Sequence, residues 1–251
     1  MIEITAEEKK WLKSFSKENF SKKILVILPH AGGNANYYRE LVQYLDSDTE
    51  CFIIQYPGRQ ERLFDSMITS IDDYADIISQ ILNSYQNRQI IIFGHSMGAL
   101  ISYNMIVRNR NLLPSVCRII VSCHTPPKRI ELDYKIDNKE EVIDYLRNLG
   151  GVDSSILEND TMMDIIIPSV QNDLLAVKKF TMNKLIRLDI PITAILATED
   201  FGISEEDILK WNYLTKKSFT LKKFKGNHFY MENQWEKLAN FLSNQFLIKQ
   251  D

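Results

Sequence analysis

IIIFGHSMGALIS, Ile90 to Ser102, is a run of branched apolar residues that breaks into two glycines around a serine and then resumes with a different period. Four apolar residues in a row, Ile90 to Phe93, read as a strand buried on both faces. Ala99, Leu100, Tyr103, Met105 and Ile106 follow the alternating exposure of a helix. Ser96 therefore sits at a strand-to-helix corner. Outward from it, ILVIL (24–28), CFII (51–54), RIIVS (118–122), ITAILA (192–197) and a stretch near SFTLKKF (218–224) read as further strands. Between them NANYYRELVQYL, SIDDYADIISQILNSY, SEEDILKWNYL and MENQWEKLANFLSNQFL have helical periodicity. Strands alternating with helices of this length predict right-handed βαβ units and a mostly parallel sheet covered on both faces.

The bulk properties bound the function. A chain of 251 residues, 45% hydrophobic and 25% charged, is long enough to bury one large α/β core, and a single domain over 1–251 is expected. A net charge of −3 provides no basic patch or stripe, so nucleic acid is not an expected partner. No apolar run approaches a bilayer span. MIEITAEEKKWLKSF also lacks the basic and then apolar order of a secretory signal, so a cytoplasmic protein without a membrane is expected. Cys51, Cys117 and Cys123 lie on or beside predicted strands without Cys-x-x-Cys spacing and read as buried small residues rather than zinc ligands. The alternation fails only over 126–187. There, two prolines and the charged run KRIELDYK precede several helix-like pieces, as in a helical lid inserted between two strands. Its apolar residues Leu146, Leu149, Ile156, Leu157, Met162, Met163, Ile166 and Val170 are candidates to line an acyl chamber.

GHSMG matches Gly-x-Ser-x-Gly, a weak signal alone, but its strand–turn–helix setting is the one that lifts a serine hydroxyl above a sheet edge. Gly94 and Gly98 have a steric reason there, because so sharp a turn leaves no room for a Cβ. A serine hydroxyl needs a base, and the base needs an orienting acid. In this architecture the order is serine, acid, histidine, which removes His30 and His95 as bases because both precede Ser96. His124 fails because no Asp or Glu lies between it and Ser96, leaving His228 in KGNHFYMENQ, a loop after a strand. Asp200, directly after the strand ITAILA, is the expected acid; Glu199 is a close rival, and Asp207 falls inside a predicted helix. For the oxyanion, the N–H of Met97 follows the nucleophile. PHAGGNANYY supplies a second donor at Ala31, with Gly32 and Gly33 turning the backbone and His30 orienting the loop.

Together LPHAGGNANYY, QYPGRQERL, FGHSMGALIS, the Asp200 position and GNHFY resemble, in order and over nearly the whole chain, the type II thioesterases that accompany nonribosomal peptide and polyketide synthases. The resemblance implies the α/β-hydrolase fold and hydrolysis of acyl or aminoacyl groups from the phosphopantetheine arm of a carrier protein. It implies no metal and no cofactor, with Ser96, Asp200 and His228 catalytic, Ala31 and Met97 as oxyanion donors, and His30, Gly32 and Arg59 near substrate. A monomer is expected. An acidic carrier partner further suggests a basic rim built from Arg59, Arg62, Lys178, Lys179 and Lys184. Gly226-Asn227 replaces the family's frequent Gly-Gly, and Gln171 and Asn172 depart from the usual lid helix. The competing readings are a medium-chain fatty acyl thioesterase or carboxylesterase of the same fold, and an inactive hydrolase fold that only binds.

Overall fold

A computed structural model describes residues 5–15, 21–127, 136, 138–150, 152, 154–182 and 184–248. The charged run over 128–135 lies outside the described residues. Seven strands form one sheet: β1 (Leu12–Lys13), β2 (Lys23–Leu28), β3 (Thr49–Ile54), β4 (Gln89–His95), β5 (Val116–Ser122), β6 (Ile192–Ala197) and β7 (Phe219–Phe224). Their order is β1-β3-β2-β4-β5-β6-β7. Every pairing is parallel except that of β1, a two-residue edge strand antiparallel to β3. Sequence periodicity gives no sign of β1, because two residues are too few to show a period.

The helices are α1 (Ala6–Trp11), α2 (Arg39–Val42), α3 (Ile71–Leu82), α4 (Met97–Asn109), α5 (Lys139–Leu149), α6 (Ser154–Leu157), α7 (Asp160–Lys179), α8 (Glu205–Leu209) and α9 (Trp235–Asn244). Their starts are chemically marked. Ser70 accepts from the N–H groups of Asp72 and Asp73, Asn138 from Glu141, Asn159 from Met162 and Ser204 from Asp207. Three predicted helices are shorter than their patterns. Ala35–Tyr38, Lys210–Leu214 and Tyr230–Asn233 are 3-10 turns flanking α2, α8 and α9.

The central strands are buried on both faces, which is why they read as continuous apolar runs. One face packs Val26, Ile92, Ile119 and Ala194 under α3 and α4; the other packs Leu25, Ile91, Phe93 and Ile195 under α9. α4 departs from the expected alternation. Met97 to Ile106 are all buried, the polar Ser102 and Asn104 among them, because α4 is covered by the sheet and by α3, so its pattern has no solvent face there. α5, α6 and α7 come from the segment between β5 and β6 and share a smaller cluster: Ile136, Val142, Leu146, Leu157, Met163, Ile167, Val170 and Leu174. Met162 does not join it and is 42% exposed.

Because the sheet is parallel, β2, β4, β6 and β7 all end on the same edge. Ala31, Ser96, Asp200 and His228 follow the carboxyl ends of those four strands by one to four residues. Residues separated by up to about three-quarters of the chain length are thus delivered to one crevice, where parallel α/β sheets place their ligands.

Candidate active site

Ser96 occupies the corner between β4 and α4 with φ 54° and ψ −117°, a conformation an L-residue adopts only under constraint. Its N–H donates to the carbonyl of Ser122 at 2.8 Å, tying the corner to β5. A Cβ on Gly94 would lie 2.2 Å from the carbonyl oxygen of Gly98, and one on Gly98 only 2.0 Å from that of Leu28. The two glycines allow α4 to turn back tightly over its own strand and over β2, which forces the strained serine outward. Ser96 is partly exposed among buried neighbours. Met97 is the first residue of α4, so its N–H has no intrahelical acceptor.

His228 Nδ1 lies 2.9 and 3.1 Å from the two carboxylate oxygens of Asp200. A carboxylate only accepts, so Nδ1 bears the proton and Nε2 presents its lone pair. Nε2 is buried and, among the described residues, hydrogen-bonded to nothing, Ser96 Oγ included. The expected rival Glu199 is exposed, its N–H given to the carbonyl of Gly226, while Asp207 lies in the first turn of α8, donating its N–H to the capping Ser204 Oγ and accepting from that hydroxyl. The Asp200 side chain is fully buried beside the imidazole.

Cys123 was legible only as a small buried residue; it stands next to this pair. Its sulfur and the ligand atoms of Asp200 and His228 lie within 4.8 Å of one another. Burial, and next the Asp200 charge, raise the thiol pKa well above its ordinary value, which opposes the thiolate a soft metal ion needs. The trio is therefore a poor metal site and suits a packed thiol beside the hydrogen-bonded Asp200–His228 pair. The His95 ring lies 4.9 Å from that of His228, tilted by 44°, and shares a hydrogen bond with Ser122 Oγ, which in turn shares one with Tyr230. Burial drives His95 far below the ordinary imidazole range and His30 down to about 3, so both stay neutral around His228. The cause is desolvation first and the His228 charge second.

The loop after β2 is held from several sides. His30 shares a hydrogen bond with Tyr38 and its carbonyl accepts from the N–H of Gly33 at 2.9 Å. Gly32 has φ 74°, and a Cβ there would meet Val170 of α7 at 2.3 Å. Its N–H donates to Asp173 of α7 at 2.8 Å. Arg59 does not sit at a rim. It is 5% exposed and paired with Asp173 through two hydrogen bonds of 2.6 and 3.1 Å, with Tyr74 donating to the same carboxylate. Arg62 is buried too, over the Trp11 ring, donating to the Gln55 carbonyl and Asp65. A guanidinium so placed presents no charge to a docking partner, so the expected basic rim loses both arginines. Lys178, Lys179 and Lys184 are exposed.

The inserted helices touch both halves of the crevice. Val170 and Asp173 of α7 press on the Gly32 loop, while the C-terminal Gly150 of α5 lies so close to Asn227 that a Cβ would come within 2.6 Å of the amide. Asn227 supports the histidine turn, accepting from the N–H of Phe229 at 2.9 Å. Asp173, Tyr74, Ser122 and Cys123 have no local sequence signature, since each matters only through a partner distant in the chain.

A corner serine, an imidazole oriented by a buried carboxylate and two glycine-shaped loops suit acyl transfer. Comparison with known proteins agrees. GrsT, the gramicidin S biosynthesis protein of Aneurinibacillus migulanus, is 26% identical over 242 residues, covering 95% of this chain and 94% of the relative. Thioesterase PikA5 of Streptomyces venezuelae is 26% identical over 244 residues, covering 95% and 86%. The structure of BorB, a type II thioesterase from the borrelidin biosynthetic cluster, superposes with a TM-score of 0.84 at 24% identity over 93% of this chain and 96% of that one. The architecture is thus that of the α/β-hydrolases. Residues 23–246 match the thioesterase domain family, and the chain belongs to it.

Proposed function

We propose that this thioesterase removes acyl or aminoacyl groups from the phosphopantetheine thiol of carrier proteins in nonribosomal peptide or polyketide synthesis, with Ser96, His228 and Asp200 as its catalytic residues. The observation that carries the reading is the His228 imidazole, fixed by Asp200 at Nδ1, left with a buried Nε2 that has no partner among the described residues, and lying 4.9 Å ring to ring from His95, the residue before the strained Ser96. The family membership and the gramicidin S relative support the substrate class.

In this mechanism Nε2 takes the Ser96 proton as Oγ attacks the thioester carbonyl. The N–H groups of Met97 and Ala31 hold the developing oxyanion; Gly32 and Gly33 are excluded as donors because their N–H groups are committed to Asp173 and to the His30 carbonyl. The imidazolium then protonates the departing thiol. Water, deprotonated by the same nitrogen, attacks the acyl-serine, and collapse of the second intermediate returns the proton to Ser96 and frees the acid. Every proton and bond is accounted for without a metal or cofactor. His30 and Gly32 shape the oxyanion side of the crevice. The enzyme works beside its synthase in the cytoplasm as a monomer, with α5 to α7 as the lid.

The test is release of acid from carrier proteins loaded with different acyl and aminoacyl groups, followed by mass spectrometry, with acyl coenzyme A and simple esters as comparators. Ser96→Ala is expected to abolish turnover and leave carrier affinity unchanged, and a fluorophosphonate is expected to label Ser96. Turnover retained in Ser96→Ala, or faster hydrolysis of simple esters than of carrier-bound thioesters, would overturn the reading.

A further inference from the structure

The Arg59–Asp173 pair spans two parts of the molecule that have no other reason to share a buried ion pair. Asp173 lies on α7, in the segment between β5 and β6; Arg59 follows β3 in the body. Both ends hold the same two residues of the loop after β2. Asp173 Oδ2 accepts the N–H of Gly32 at 2.8 Å, and Arg59 donates to the carbonyl of Gly33 at 3.3 Å. Arg59 also donates to the Pro57 carbonyl at 3.2 Å and Tyr74 fills Asp173 Oδ1 at 3.1 Å, so the pair is satisfied on both sides. Val170, one turn before Asp173, closes the remaining space over Gly32.

We propose that Asp173 is a positioning residue of the oxyanion hole: with Arg59 it clamps the Ala31–Gly32 and Gly33–Asn34 peptides and thereby sets the direction of the adjacent Ala31 N–H. The clamp makes α7 part of the catalytic geometry. A lid segment that left the body would release Gly32 and blunt catalysis, so closure and competence are one event. Within α7, Met163 and Ile167 before Pro168 are buried in the cluster shared with α5 and α6, whereas Ala176 and Val177 after it join the main core and Asp173 and Val170 press on the Gly32 loop. The anchored half is therefore the one after Pro168.

The inference rests on Ser96 and Ala31 acting as proposed above, and its test separates the two. Arg59→Met with Asp173→Leu removes both charges together, avoiding a stranded buried ion, and removes the Gly32 acceptor. Its kcat on a carrier-bound thioester is expected to fall about 10- to 100-fold with KM within about threefold, the size of a misplaced catalytic group. Its affinity for a trifluoromethyl ketone thioether, which forms an oxyanion on Ser96, should fall by the same factor. Arg59→Gln with Asp173→Asn, which keeps an acceptor for Gly32, should recover most of the loss. Amide exchange at Gly32, read by NMR, should be protected in the wild type and at least tenfold faster in the Met/Leu variant. Unchanged kcat and ketone affinity in that variant, or an unprotected Gly32 amide in the wild type even if the variant fails to fold, overturns the clamp. A wild type that neither turns over thioester nor takes a fluorophosphonate on Ser96 overturns the proposed function instead.

Discussion

Gly98→Ala pits a known gain against a clash whose size the structure fixes. Alanine is favoured over glycine in a helix, by about 1 kcal/mol in the interior and by less in the first turn where Gly98 lies, so propensity alone predicts a more stable protein. The new methyl, however, would stand 2.0 Å from the Leu28 carbonyl oxygen and 2.9 Å from the Leu28 Cβ, where ordinary contact begins at 3.4 Å. Relief needs a shift of 3.4 − 2.0 = 1.4 Å between α4 and β2. Neither side has slack: Leu28 pairs with Gly94 at the end of a fully buried strand, and Met97 to Ile106 are buried around the helix. Overpacking costs about 1–3 kcal/mol, and backbone against backbone belongs at the upper end. The net loss is about 2 kcal/mol or more, which at about 2–4 °C per kcal/mol lowers Tm by about 4–8 °C. Urea unfolding followed by the fluorescence of buried Trp11, Trp211 and Trp235 measures it. Gly202→Ala isolates the separate cost of a left-handed backbone, since Gly202 has φ 80° and nothing within 4 Å of an added Cβ, a cost that the helical Gly98 does not carry. A Gly98→Ala protein as stable as the wild type would refute the steric account of the corner. The same shift moves Ser96, so activity should fall even in the surviving folded fraction.

Asp200→Asn should reduce kcat by about 10³- to 10⁴-fold with little change in KM, because an amide donates to Nδ1 and fixes the wrong tautomer; Glu199→Gln should leave steady-state rates unaltered. Stability should also depend on the two neutral histidines. His30 titrates at about 3 in the folded chain and His95 far below its ordinary range, against about 6.5 unfolded. Between those values the unfolded chain binds protons that the folded chain does not, so their contribution is intact above about pH 6.5 and is lost progressively as the pH falls. Urea midpoints of the wild type and of His30→Gln/His95→Gln, compared between about pH 7 and pH 5, should show a flatter dependence in the variant; parallel curves would show that these rings stay neutral for no energetic reason.

By itself the sequence determined the parts that are local in the chain. The strands were readable because central strands of a parallel sheet are apolar on both faces, as in Ile24 to Leu28 and Ile192 to Ala197. The corner at Ser96 was readable because its two glycines are demanded by backbone approach, and the order of Ser96, Asp200 and His228 follows from strands that all end on one edge. Tertiary structure decided what depends on partners remote in the chain. Arg59 looks like a surface cation until Asp173, 114 residues later, draws it inside; Gly32 finds its acceptor 141 residues away. Charge alone says nothing of where a side chain lies, because burying an ion is unfavourable until a counter-ion meets it, and only the folded packing of α7 against the body supplies one.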